Sequence, residues 1–193
     1  NESCTPSEHV HVITRKANGV LFQIRRTLVS RNKDVVIDLF KTFVRPVLES
    51  AGPAWSPWEK QHVEAIEKVQ RRATRLVPGI GHMCYDDRLE VCKLTTLEDR
   101  RQRGDLIQLF KMLNGYSDGE HLFCYTSQRH EVQTRSASNN FLVAEKCRLD
   151  VRKNFFTNHV VRKWNDLPIE IRETDTVNSF KNAYDNFINI KES

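Results

Sequence analysis

The sequence predicts a mainly α fold, a bundle of amphipathic helices with a small β-hairpin or extended segment near residues 130–150. Three observations carry this expectation. Apolar residues recur at steps of three and four along most of the chain, the period that lines one helical face. The breaks between these runs hold helix punctuation: Ser-Pro at 56–57, Pro-Gly at 78–79, Thr-Thr-Leu-Glu at 95–98 and Asn-Gly at 114–115. Only between Tyr116 and about Asp150 does the pattern weaken, and short extended pieces are expected there at 130–135 and 141–150.

The first helix is expected from Ser7 to Leu28, with Ser7 as its cap and Val10, Ile13, Ala17, Val20, Ile24 and Leu28 along one side. A second covers Asp34 to Leu48, on the apolar face of Val36, Leu39, Phe40, Phe43, Val47 and Leu48. Pro46 has no N–H to donate and should kink or loosen its last turns. The break AGPAWSP follows. Ser56-Pro57-Trp58-Glu59 then supplies a Ser cap, a Pro at the first helical position and a Glu two residues on, so the third helix is expected over 57–77, stopped by Pro78-Gly79. His62, Ile66, Val69, Ala73 and Leu76 form its stripe. A short helix is expected over 85–92. Thr95-Thr96-Leu97-Glu98 opens another, with Leu106, Leu109, Phe110 and Leu113 facing inward and Gly115 past its end. Beyond the weak stretch, Phe156, Val160, Trp164 and Leu167 share one face of a helix that Pro168 ends. Phe180, Tyr184 and Phe187 mark a last helix near 177–188. The organisation expected is a helical domain over 1–115 and a C-terminal extension over 116–193.

The 193 residues suffice for one domain or two small ones. Apolar residues at 39% and charged residues at 28% suit an ordinary packed core. No run of about 18 apolar residues occurs, so no membrane span is expected. The five cysteines are widely spaced and lack a CxxC, which fits reduced thiols in an intracellular protein and gives zinc no tetrahedral pair, even with His82 and His121 nearby. The chain begins at Asn1, and a fragment or processed product is expected. Net charge +5 and pI near 9.0 mildly favour an acidic partner such as nucleic acid.

Tyr85-Asp86-Asp87 raises the question of polymerase chemistry, because paired aspartates can hold two catalytic metal ions. Such carboxylates need rigid strands. Here Leu89 is spaced for a helix, and acidic residues in a first turn complement the helix dipole. A helix start is the expectation.

The stretch from Leu39 to Gly115, LFKTFVRPVLESAGPAWSPWEKQHVEAIEKVQRRATRLVPGIGHMCYDDRLEVCKLTTLEDRRQRGDLIQLFKMLNG, resembles the region after the palm in LINE-type (non-LTR) retrotransposon reverse transcriptases, Jockey-like elements being the nearest comparison. TRSASNNFLVAEKCRLDVRKNFFTNHVVRKWNDLP and SFKNAYDNF extend the resemblance over about residues 8–188. The chain departs from the family at Ser50, where Leu-Glu is usually followed by Tyr, and at Asp86-Asp87, where the family has Glu-Glu. The resemblance implies a thumb-like helical bundle that follows the template–primer groove. It implies a non-catalytic part of an RNA-directed DNA polymerase, since the family's polymerase carboxylates and endonuclease lie upstream. It also implies RNA or an RNA–DNA duplex and the upstream polymerase domains as partners, in nucleus and cytoplasm. No cofactor is expected in this chain. Divalent metal belongs to the upstream palm.

The residues expected to meet nucleic acid fall in three groups. On the third helix, Lys68, Arg71, Arg72 and Arg75 occupy roughly 100° of arc, roughly 130° from the apolar stripe. Such a face can contact phosphates without reading sequence, or can remain a solvated face paired locally with Glu64 and Glu67. Arg100, Arg101 and Arg103 open the next long helix, where cations oppose the dipole. They could meet an external anion, Glu98 and Asp99, or, for Arg101, Asp105. Arg148, Arg152 and Lys153 precede Phe155 and Phe156, and aromatics among cations can stack bases, although Phe156 shares a stripe with Trp164 and reads better as core. Trp55 and Trp58 read as packing or a hydrophobic staple. Two other functions stay open: a domesticated helical module that binds a protein, and a decayed element fragment.

Overall fold

The computed structural model describes residues 6–28, 32–50, 52–55, 57–125 and 141–192. The chain is mainly α, as its periodicity predicts. Its helices are α1 (Pro6–Thr27), α2 (Lys33–Leu39), α3 (Arg45–Glu49), α4 (Gly52–Trp55), α5 (Lys60–Arg75), α6 (Tyr85–Cys92), α7 (Leu97–Leu113), α8 (Asp150–Lys153), α9 (Phe156–Asn165), α10 (Ile169–Arg172) and α11 (Val177–Glu192). A π-helical turn, Phe40–Val44, joins α2 to α3, and a 3-10 turn covers Glu120–Leu122. Two compact units result, Asn1–Arg101 and Gln102–Ser193, divided within α7.

In the first unit, Val10, Ile13, Ala17, Leu21 and Ile24 of α1 pack against Phe40, Val44 and Leu48 and against Ile66, Val69 and Ala73 of α5. Each large apolar side chain removed from water contributes about 1.5–3 kcal/mol before entropy is counted. Val36 and Ile37 make a smaller core with Val77 and Cys92. Pro6 takes the first helical position, so Ser7 lies inside α1 rather than capping it. The helix expected over 34–48 is present, and Pro46 leaves its mark on it: the backbone widens to π geometry just ahead of the proline, which supplies no N–H, and then resumes as α3. The third helix begins later than expected. Ser56 lies outside the described residues, Pro57 is buried, and Glu59 is the N-cap of α5 without a side-chain cap bond.

The short helix at 85–92 forms as expected. Cys84 Sγ accepts the Asp87 N–H at 3.4 Å, and the helix ends with Lys93 in the left-handed region (φ 51°), Leu94 N–H donating to Leu89 O at 2.9 Å. The same motif closes α7 with Gly115 (φ 69°). The start of α7 is shifted by one residue from the expected box: Thr96 Oγ1 accepts the Asp99 N–H at 3.1 Å, making Thr96 the cap and Asp99 its reciprocal partner.

In the second unit, Leu106, Leu109 and Phe110 of α7 meet Phe156, Val160 and Trp164 of α9 and Phe180 and Tyr184 of α11. The Phe180 ring stacks on Phe110 at 4.6 Å and on Trp164 at 5.9 Å between centroids. Thr176 caps α11. Of the expected extended pieces, 130–135 lies outside the described residues. The other reduces to one antiparallel bridge, Tyr125 to Leu142, with α8 beginning at Asp150. Asn165 holds it: its side chain accepts the Leu142 N–H at 3.0 Å and donates to the Leu142 carbonyl at 2.9 Å.

Candidate nucleic-acid interface

Helix α5 is packed on two sides. Its apolar stripe meets α1. A polar stripe of Glu67, Gln70 and Thr74, all buried, faces α6. On the wheel the two stripes leave a single outward sector, centred on Lys68, Arg72 and Arg75. Arg71 sits at its edge, half-buried, with its guanidinium 4.8 Å from the Tyr85 ring centroid. Glu64 lies in the same sector, 3.8 Å from Lys68 Nζ and 3.9 Å from Arg71 Nη1. Exposed pairs at these separations contribute about 0–1 kcal/mol, so solvent or a phosphate can replace them cheaply. Arg72 donates to Asn18 Oδ1 of α1 at 2.8 Å. Arg75 is exposed, and its guanidinium has no ion pair or hydrogen bond among the described residues.

The cations that open α7 are committed within the fold. Arg100 forms a forked pair with Glu49 (2.6 and 3.3 Å) rather than with Glu98 or Asp99. Arg103 forms one with Asp185 (2.6 and 2.7 Å), which raises its pKa through the hydrogen bonds to the carboxylate. Arg101 is only 7% exposed, and its charge acts on Glu67. Asp105, the partner considered for Arg101, is buried and bonded to His159 Nε2 at 2.9 Å. In the third group Arg152 donates to Glu145 at 2.8 Å and lies 5.6 Å from the Phe155 centroid, while Arg148 and Lys153 are exposed. Phe155 is 45% exposed and Phe156 is core. Trp55 packs on His9 at 4.5 Å and donates to Ser50 O at 2.6 Å.

Two features escaped the sequence reading. Arg25 and an exposed Phe22 on α1 stand beside Arg72 and Arg75 around one open groove. Four-residue spacing already put Asn18, Phe22 and Arg25–Arg26 along one flank of α1, but nothing local said that α5's cations would face that flank. The second feature is a buried polar clamp at Tyr85. Its hydroxyl donates to Glu67 Oε1 and accepts from Gln70 Nε2 at 3.1 Å. Gln70 also donates to Thr95 O at 2.9 Å, and Glu67 Oε2 accepts the Leu97 N–H, the first of α7, at 3.0 Å. Buried Arg88 donates to the Arg71 carbonyl at 3.4 Å. Burial pushes the Glu67 carboxyl above its ordinary range, against the hydrogen bonds from Tyr85 and Leu97 that favour the carboxylate. Burial, then the bond to Glu67, pushes the Tyr85 phenol up.

Asp86 and Asp87 project from the first turn of α6 and are exposed. Among the described residues no group of three or more His, Cys, Asp or Glu side chains could hold a metal ion. No described helix is long and apolar enough to cross a membrane. Comparison with family models, curated proteins and solved structures finds no match to this chain.

Proposed function

We propose that this chain is a non-catalytic, thumb-like part of a retrotransposon RNA-directed DNA polymerase that positions RNA or an RNA–DNA template–primer for an upstream palm. In that setting it works beside the upstream polymerase domains, in nucleus and cytoplasm. The resemblance of residues 8–188 to post-palm segments motivates the reading. The observation that carries it is the geometry of α5: two faces are consumed by packing, and the third presents Lys68, Arg72 and Arg75 together, with Arg71 at its edge. Cations held on a rigid helix neutralise phosphates without reading bases. In the other unit Arg148 and Lys153 are exposed as well.

Titration of the chain into a labelled RNA–DNA hybrid at low salt tests this. Binding that weakens sharply in the triple variant Lys68→Ala, Arg72→Ala, Arg75→Ala is the expected result. No binding by the wild type, or binding indifferent to the triple change, refutes it.

A second reading, a helical module that binds a protein, draws on Leu149, Val151 and Phe155, which are 72%, 63% and 45% exposed in one short stretch. It predicts that Leu149→Ser with Val151→Ser abolishes capture of that partner and leaves hybrid binding unchanged.

A further inference from the structure

We propose that the groove between α1 and α5 seats one unstacked base of a single-stranded RNA or DNA segment, with the adjoining phosphates on Arg25, Arg72 and Arg75. This rests on the nucleic-acid reading above and extends it: the arginines that meet a duplex's phosphates also hold those of a single strand, whose unstacked base alone can reach Phe22.

The groove is open and holds about 420 Å³, within the range of about 300–1,000 Å³ typical of small-molecule pockets and so ample for one base. Leu21, Phe22 and Leu76 give it an apolar lining, Arg25, Arg72 and Arg75 give it a cationic one, and among the described residues no carboxylate lines it. Phe22 is 62% exposed, whereas Phe40, Phe110 and Phe180 are fully buried. Its ring is therefore not needed to fill the core and presents a free face.

Arg72 is aimed rather than loose. Asn18 donates to the Thr14 carbonyl at 2.8 Å and accepts one Arg72 N–H at 2.8 Å. That fixes one edge of the guanidinium and leaves its other donors for an anion. Guanidinium groups match phosphate oxygens in a planar fork. A nucleic-acid strand offers an anion and a flat π-face at every residue, and an aromatic ring among cations takes both. A duplex hides its base faces, so Phe22 has nothing to stack on there.

Fluorescence anisotropy at low salt decides the point, with labelled oligo(dT), oligo(U) and an RNA–DNA hybrid as probes. The proteins are the wild-type chain, Phe22→Ala, Phe22→Leu and Arg25→Ala with Arg75→Ala. Because Phe22 is exposed, its variants should keep the wild-type far-UV dichroism. The expected result is at least about a fivefold loss of affinity for both single strands in Phe22→Ala, with hybrid affinity held within about twofold. Phe22→Leu, which keeps apolar cover but removes the ring, should weaken single-strand binding as well. Wild-type single-strand affinity in Phe22→Ala, or no single-strand binding at all, alongside intact hybrid binding overturns the base seat and leaves the duplex reading standing. A wild-type chain that binds no probe overturns both.

Discussion

Removing one oxygen atom, in Tyr85→Phe, should loosen the first unit by about 2 kcal/mol. The phenol donates to Glu67, which is buried at 7% exposure. A hydrogen bond to a buried charged acceptor contributes about 1.5–3 kcal/mol. The other contacts of the clamp survive the change. Gln70 keeps Thr95 O at 2.9 Å, Glu67 keeps the Leu97 N–H at 3.0 Å, and the ring remains 4.8 Å from the Arg71 guanidinium. The loss is therefore that of the phenol's two bonds, the one to Glu67 and the weaker neutral one from Gln70 at 3.1 Å, and not of the whole junction. Asp86→Asn is the control: an exposed acid in the first turn of α6 should be worth only about 0.3–1 kcal/mol through the helix dipole. Urea denaturation read by hydrogen exchange of α5 and α6 amides reports this unit by itself. With a slope of about 1–3 kcal/mol per molar urea, the Tyr85→Phe midpoint should fall by about 1 M. A shift no larger than that of Asp86→Asn would refute the assignment of Tyr85 as the junction of α5, α6 and α7.

Three further outcomes follow from particular contacts. Glu67 has a raised carboxyl pKa, so the folded state holds its proton more tightly than the unfolded chain; its share of stability should fall as pH rises from the ordinary carboxylate range through the raised value, and Glu67→Gln should flatten that part of a pH–stability profile. Lys93 closes α6 at φ 51°, where a side chain costs about 1–2 kcal/mol and glycine does not, so Lys93→Gly should stabilise by about 1 kcal/mol in thermal unfolding. Arg100→Ala and Arg103→Ala each break a partly exposed forked pair and should cost about 1 kcal/mol or less in urea denaturation, while hybrid affinity measured by anisotropy stays within about twofold.

The sequence showed its long periodic helices plainly. The α6 boundaries and the glycine stop of α7 agree with their caps because those signals are local. Local signals also misled. Ser-Pro at 56–57 has the form of a helix start, yet Pro57 is buried and α5 begins at Lys60. The wheel of α5 separated its apolar and basic faces correctly and placed Glu67 beside the cations as a surface partner. It could not show that a second helix would dock there and bury Glu67 under Tyr85. For the same reason the cations at 100–103 carried no sign of Glu49 or Asp185, which lie far away in sequence. Phe22 was invisible as a site because its meaning depends on which flank of α1 faces Arg72.

The most direct test of the central claim, that the outward face of α5 grips phosphodiester, is the salt dependence of RNA–DNA hybrid binding. Each phosphate neutralised adds close to one unit to the slope of log affinity against log salt, so Arg72→Ala with Arg75→Ala should reduce that slope by about two. An unchanged slope in the double variant would contradict the account.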